Sequence, residues 1–269
     1  MSFFVNHFTI AWKDLVEQHP AGVIEVGISV FVSIFALIIP STILLLVDAV
    51  LPEFASRHKR QTQKKRPQGK KLMRCILMVI FNIILAISTV ALSKLYFGWQ
   101  FSPFHVDPIL PTGRILLFDF IYGTLCWEAM VYYIHRLFHG KWLYKHFHFV
   151  HHEFQAPIGF TAGYMHPIES NINGGAPLYL PLAIRRAHMV SYLLFFFVTV
   201  FYVVLDYSGY TIWWLPNVQA HDFHHEKANC NFGAIGLMDW LHKTSATSKA
   251  GNDFRLVYGD KRKGKGHTI

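Results

Sequence analysis

The chain has 269 residues, 52% hydrophobic and 15% charged, where an ordinary soluble domain carries about 25% charged residues. Its mean hydropathy is positive, +0.29. These values exclude a disordered chain and a typical soluble domain, and they fit a polytopic membrane protein with one compact core. The net charge of +9 is unevenly placed: nine of the 25 basic residues lie between Arg57 and Arg74, and no acid lies between Glu53 and Asp107. A basic cluster between two apolar runs reads as a membrane orientation signal rather than a nucleic-acid surface. The three cysteines, Cys75, Cys126 and Cys230, form no regular set of the kind a disulfide framework or thiolate zinc site needs.

In chain order, Phe4, Phe8, Trp12 and Leu15 recur at helical spacing, as an interfacial amphipathic helix or a short lead-in segment. The first run long enough to span is Val23 to Val47, with Glu25 near one end and Pro40 as a kink or turn. The basic loop 57–74 follows. The second run, Cys75 to Leu92, ends near Lys94 and the interfacial aromatics Tyr96, Phe97 and Trp99. The third, Ile115 to Ile134, contains Asp119 and Glu128. The last apolar region has a short piece, Gly174 to Ile184, and a long one, Val190 to Tyr207, separated by Arg185 and Arg186. If the basic loop is cytosolic, two crossings return the chain to that side and residues 135–170 face the cytosol. A hairpin over 174–207 would keep 208–269 there; a single crossing by 190–207 would not. The sequence divides into N-terminal membrane segments (1–114), a histidine-rich domain (115–245) and a basic tail (246–269).

Histidine is the unusual residue, with 17 copies, and eight of them form three clusters. These are His135-x-x-x-His139, His148-x-x-His151-His152 and His221-x-x-His224-His225. On a helix, positions i, i+3 and i+4 share one face, so each box is expected to present its imidazoles in one direction. Eight ligands exceed the needs of one tetrahedral ion and suffice for two ions with open positions; nitrogen donors suit iron, zinc or copper. A single site built from all three boxes requires them on one side of the membrane, which selects the hairpin and four or more crossings. Glu128, two helical turns before His135, and Asp222 and Glu226, flanking the third box, are candidate carboxylates for orienting ligand imidazoles. Asp119 has no such assignment.

The boxes HxxxH, HxxHH and HxxHH, in this order and between membrane runs, resemble the fatty acid hydroxylase superfamily of integral-membrane di-iron enzymes. The flanking residues sharpen the likeness. Glu128 to Arg136 is similar to the family's approach to its first box, and HHEFQAPIGFTAGYMHPIE (His151 to Glu169) resembles the sterol C4-methyl oxidase branch. Asp206-Tyr-Ser-Gly-Tyr210 and residues 221–242 resemble the segment before the last box and that box with its tail. The resemblance covers about residues 115–245. Two departures stand out: Tyr207 occupies the place of the family's usual histidine before Ser-Gly-Tyr, and Lys243-Thr244 replaces Gly-Thr.

The resemblance implies an all-α integral-membrane fold of four to five transmembrane helices, with a cytosolic helical cap carrying the di-metal site. It implies two iron ions held by His135, His139, His148, His151, His152, His221, His224 and His225, with His166 as a ninth ligand. Spacing alone reads His166 equally well as orienting the turn before Pro167. It further implies O2 as co-substrate, electrons from NAD(P)H through cytochrome b5 or a reductase, and a place in the endoplasmic reticulum membrane with the boxes facing the cytosol. No dinucleotide fingerprint occurs in this sequence. The basic loop could dock an acidic partner or fix topology. The expected reaction is oxidation of a sterol C4 methyl group. Sterol C5-desaturation, sterol side-chain hydroxylation and fatty acyl or sphingolipid hydroxylation remain alternatives, and a non-catalytic metal-binding scaffold or a metal transporter is the different class.

Overall fold

A computed structural model describes residues 3–61, 66–212 and 218–246; the basic tail lies outside them, as do positions 62–65 of the basic loop. Among the described residues the chain is helical, without extended strands. Helix α1 is Phe3–Gln18 and α2 is Ala21–Val50. Within α2 a π-helical stretch, Ser33–Ile38, precedes Pro40. Proline cannot donate to the carbonyl four residues back, and the wider turn absorbs that loss, so the helix continues instead of ending. A short helix α3, Pro52–His58, leads to α4, Lys70–Phe97, which stops at Gly98 with a φ of 91°. Helix α5, Gly113–Phe138, starts at Thr112, whose hydroxyl accepts the Ile115 amide hydrogen at 3.4 Å.

Short turns over 141–163 carry the second box. Helix α6 (167–184) begins with Pro167, passes through a π-helical stretch at Ser170–Gly175, and ends at a turn where Arg186 adopts a φ of 54°. Helix α7, Met189–Asp206, returns, its first turn capped by His188 accepting from the Val190 amide at 3.1 Å. Two short helices complete the fold, α8 (Val218–Lys227) with the third box and α9 (Leu237–Leu241).

Four helices, α2, α4, α5 and α7, are long and apolar enough to cross a membrane, which makes this an all-α integral-membrane fold. Polar contacts sort the helix ends into two layers. At one end Glu25 of α2, fully buried, takes hydrogen bonds from Lys94 of α4, Ser102 and Tyr179 of α6, each at 2.7 Å. Asp119 belongs to this end too, paired with Arg185 at 2.6 Å. Gly22 sits against the Trp99 carbonyl so closely that a Cβ would lie 2.8 Å from it. Aromatic and aliphatic side chains of α1, α2, α5, α6 and α7 fill the space between the layers, Trp12, Val32, Trp127, Leu182 and Phe195 among them.

All three histidine boxes lie at the other end. Helix α6 runs away from them and α7 runs back, forming the hairpin expected from the Arg185–Arg186 break. The basic loop is part of this end and is only partly a free surface. Lys59 pairs with Asp48, the Arg60 amide donates to the Gly209 carbonyl at 3.0 Å, and the Thr211 amide donates to that of His58 at 2.7 Å. Arg74 pairs with Glu153.

Candidate metal centre

The eight box histidines converge, but as two adjacent groups. His135, His139, His148, His152 and His224 each offer a nitrogen within 4.8 Å of the others, and His151, His221 and His225 do the same. Local geometry accounts for part of the division. His135 and His139 at the end of α5, and His221 and His225 on α8, are four residues apart on one helix and stay together, while His224 and His225, neighbours on α8, diverge by about 100°. His148 ends a π-helical turn and His151 and His152 lie on a 3-10 turn, where His152 joins the first group and His151 the second. The expectation that each box faces one way is corrected: boxes two and three straddle both groups. The rings of His152 and His225 are 4.7 Å apart, so the groups adjoin.

The first group fits a cation. Three of its imidazoles spend Nδ1 on a fixed acceptor: His135 on the Phe232 carbonyl at 2.9 Å, His148 on the Glu169 carboxylate at 2.6 Å, and His224 on the Cys230 carbonyl at 2.7 Å. Those bonds place the proton on Nδ1 and turn the Nε2 lone pair inward. The inward Nε2 atoms of His135, His139, His148, His152 and His224 approach one another at 2.9–3.3 Å. Between His135 and His148, whose Nδ1 atoms both carry the proton, the facing Nε2 lone pairs 3.1 Å apart repel unless a cation lies between them. An ion with nitrogen ligands at about 2.1 Å sets right-angled neighbours about 3.0 Å apart, which matches. Burial first, then the neighbouring imidazoles, hold His139 down at about 2 and His151 at about 3. The same causes push His148, His152, His221, His224 and His225 below the ordinary histidine value. The ligands are thus neutral and ready to bind metal.

In the second group, His221 Nδ1 lies 3.6 Å from Asp206, and His151 Nδ1 lies 3.3 Å from the Tyr164 carbonyl. Among the described residues His221 Nε2 and both ring nitrogens of His225 have no hydrogen-bond partner. Buried polar atoms of this kind await a ligand. The Tyr207 hydroxyl is 2.9 Å from His151 Nε2, and its ring lies 4.0 Å from that of His221. The tyrosine that departs from the family pattern therefore sits at the second group itself. Burial, with the charges of Asp206 and Glu169, raises its phenol well above the usual range.

His166 lies apart from both groups. Its Nδ1 accepts the Ile168 amide hydrogen at 3.3 Å at the start of α6, and its ring packs 4.9 Å from Phe147. The flanking carboxylates also differ from their expected placement. Glu128, fully buried, accepts three backbone amides instead of an imidazole: Ala234 at 2.7 Å, Ile235 at 2.8 Å and Met238 at 2.9 Å. It acts on the site through the 232–238 segment, whose Phe232 carbonyl holds His135; Asp239 takes the Phe232 and Gly233 amides. Asp222 and Glu226 lie 3.6 and 3.9 Å from Arg60, so the basic loop steadies the third box. The carboxylates that meet imidazoles are Glu169 and Asp206, for which sequence reasoning assigned no role. Their signal was present: an acid closing the His-Pro-Ile-Glu run and another ending an apolar helix.

A cavity of ≈ 230 Å³ opens beside both groups and runs between the membrane helices. His135, His151, His221 and Tyr207 form its polar end, and side chains such as Val79, Val131 and Phe196 line its body.

The fatty acid hydroxylase family model matches residues 120–244. The chain is 33% identical over 212 residues to the human fatty acid hydroxylase domain-containing protein 2, covering 77% of this chain and 62% of that one. It is 30% identical over 219 residues to the fatty acid hydroxylase ahd1 of Mycosarcoma maydis, covering 80% and 56%. It is 30% identical over 205 residues to methylsterol monooxygenase 2-2 of Arabidopsis thaliana, covering 71% and 75%. No solved structure matches. An all-helical membrane fold that gathers eight imidazoles at one end defines a histidine-box membrane protein. The chain belongs to the fatty acid hydroxylase family. It spans about 62% of the length of the human relative.

Proposed function

We propose that this chain is a membrane-bound di-iron oxygenase that oxidises a C–H bond of a lipid with O2 and external electrons, the first candidate being a C4 methyl group of a sterol. The observation that carries the reading is the convergence of eight neutral imidazoles at the polar end of an apolar intramembrane cavity. The first group would hold one iron and His151, His221 and His225 the other, with Tyr207 beside it. Saturated C–H bonds do not yield to side-chain acid–base catalysis, and the irons, when bound, supply the O2-derived oxidant. The protein's own contribution is positional. Glu169 and the Phe232 and Cys230 carbonyls fix ring orientation and tautomer. The apolar walls align the lipid and keep water from the reacting carbon.

The 151–169 likeness and the similarity to a methylsterol monooxygenase support a sterol. A very-long-chain aldehyde decarbonylase of rice, 29% identical over 199 residues, supports a second reading, an acyl-derived substrate. Cytochrome b5 or a reductase would deliver the electrons, and exposed parts of the basic loop fit an acidic donor. The basic loop and the boxes share one end of the bundle, which supports the boxes facing the cytosol of the endoplasmic reticulum.

The test is anaerobic metal analysis of purified protein coupled to turnover of a 4-methyl sterol, a ceramide and a fatty acid, with cytochrome b5 and reductase supplied. Two irons and oxidation of the C4 methyl are expected. Intact protein without stoichiometric metal would refute the oxygenase reading. Orientation is read separately: cysteines replacing Lys71 and Lys227 should label from one face and a cysteine replacing Arg114 from the other, and any other pattern refutes the topology.

A further inference from the structure

The cavity wall carries a polar side chain that the histidine groups do not use. Asn82 lies midway along α4, inside its apolar run, and is 4% exposed. An amide in that position is costly unless satisfied. Its Nδ2 donates twice, to the Gly163 carbonyl at 3.1 Å and to the Met165 carbonyl at 2.9 Å. Both partners are pure acceptors, which fixes the orientation of the amide: the NH2 faces them and the oxygen faces away. Asn82 lines the cavity, and its Oδ1 has no hydrogen-bond partner among the described residues. A second amide residue, Asn173 on α6, lines the same cavity, and its Oδ1 is also buried without a partner among the described residues.

An amide oxygen is an acceptor only, and no described side chain or backbone amide donates to either of these two. What completes it is a donor brought by the occupant. A carboxylate is the wrong partner, because it would set acceptor against acceptor in a low-dielectric space. The position along the cavity is informative too. The Met165 carbonyl that Asn82 holds follows directly on the Tyr164 carbonyl that lies 3.3 Å from His151 Nδ1. Two successive carbonyls therefore separate the amide from the second imidazole group.

We propose that Asn82, with Asn173, accepts a hydrogen bond from a hydroxyl group of the lipid. The substrate is then a neutral lipid alcohol whose O–H lies a few bonds from the carbon to be oxidised. It is not a fatty acid, nor a chain oxidised far from its polar head. This rests on the reading of the cavity as the lipid site of an oxidase and adds the chemical class of its occupant.

The test is binding, not turnover. Full-length protein in detergent is titrated with two matched pairs: a 4-methyl sterol and its 3-ketone, and a long-chain alcohol and the aldehyde of the same length. In each pair the second member keeps the shape and loses the donor. At least one alcohol is expected to bind about tenfold more tightly than its carbonyl counterpart, the effect of one buried hydrogen bond. In Asn82→Leu that preference should fall to within about twofold, and in Asn173→Ala it should fall part of the way. If neither alcohol is preferred by the wild-type protein, or the preference survives in Asn82→Leu, the proposal is overturned. The wild-type comparison stands without any variant, so a misfolded Asn82→Leu does not rescue it. The outcomes stay distinct from those of the oxidase reading. Alcohol preference without oxidised product would refute the oxidase alone, and product without alcohol preference would refute the hydroxyl contact alone.

Discussion

Glu128 holds the first box indirectly, and its removal gives the largest effect the structure implies outside the imidazoles. The buried carboxylate accepts the amides of Ala234, Ile235 and Met238 at 2.7–2.9 Å. A hydrogen bond to a charged acceptor contributes about 1.5–3 kcal/mol. Three bonds to one side chain do not add fully, so Glu128→Ala should cost on the order of 4 kcal/mol, a large part of the roughly 5–15 kcal/mol available to a folded domain. The pinned segment begins at Phe232, whose carbonyl receives the His135 Nδ1–H. Loss of the pin therefore frees a ligand ring as well as a loop. Glu128→Gln keeps the shape and one acceptor oxygen and should cost about half as much. The assay is iron per chain and thermal midpoint of the purified variants in detergent, with the order wild type above Gln above Ala in both. Gly233→Ala provides a check that leaves the carboxylate chemically intact, since its Cβ would lie 2.5 Å from Glu128 Oε1; it should lower both readouts too. Full iron and an unchanged midpoint in Glu128→Ala would refute the reasoning, because three buried amides would then have lost their acceptor without consequence.

Three further outcomes follow from the same geometry. Glu169→Gln keeps the side-chain shape but removes the carboxyl group 2.6 Å from His148 Nδ1, so iron affinity should fall about 10–100-fold; an unaltered metal titration would show that the carboxyl group does not orient the ring. Tyr207→His places a fourth imidazole beside His151, His221 and His225, and the second ion should bind more tightly in a competition titration with a chelator; weaker binding would mean that the phenol oxygen serves that ion better. Metal-free protein should lose stability in acid: the unfolded chain takes up protons near pH 6.5, whereas folded His151 resists protonation down to about 3, so unfolding becomes easier as pH falls from about 6.5 towards 3. A thermal midpoint that is flat over that window would contradict the burial of the imidazoles.

Much of the fold was legible because lipid imposes simple rules. A long apolar run must be helical to satisfy its own backbone, so the runs at 23–47, 75–92, 115–134 and 190–207 mark the four long helices, though the helices extend past the runs at most ends. Charge placed the loops, and the Arg185–Arg186 break placed the hairpin turn. Box spacing identified the residues that converge, since three clusters at i, i+3 and i+4 are far denser than chance at this histidine content.

Sequence alone did not settle how those residues are shared out or what steadies them. The division of the boxes into two groups depends on how the 141–153 turns and α8 are rotated relative to α5, and one-dimensional spacing does not encode that rotation. Glu169, Asp206, Arg60 and Asn82 sit 21, 15, 162 and 81 residues from His148, His221, Asp222 and Gly163, the groups they touch. Such contacts exist only once the helices have packed. The sequence by itself therefore determined an all-helical membrane chain and its set of imidazoles, because hydropathy and helical periodicity are local properties. The tertiary structure alone decided which imidazole joins which group, that Glu128 binds amides, and that two asparagines with unpartnered amide oxygens line the cavity, because these depend on distant segments meeting in space.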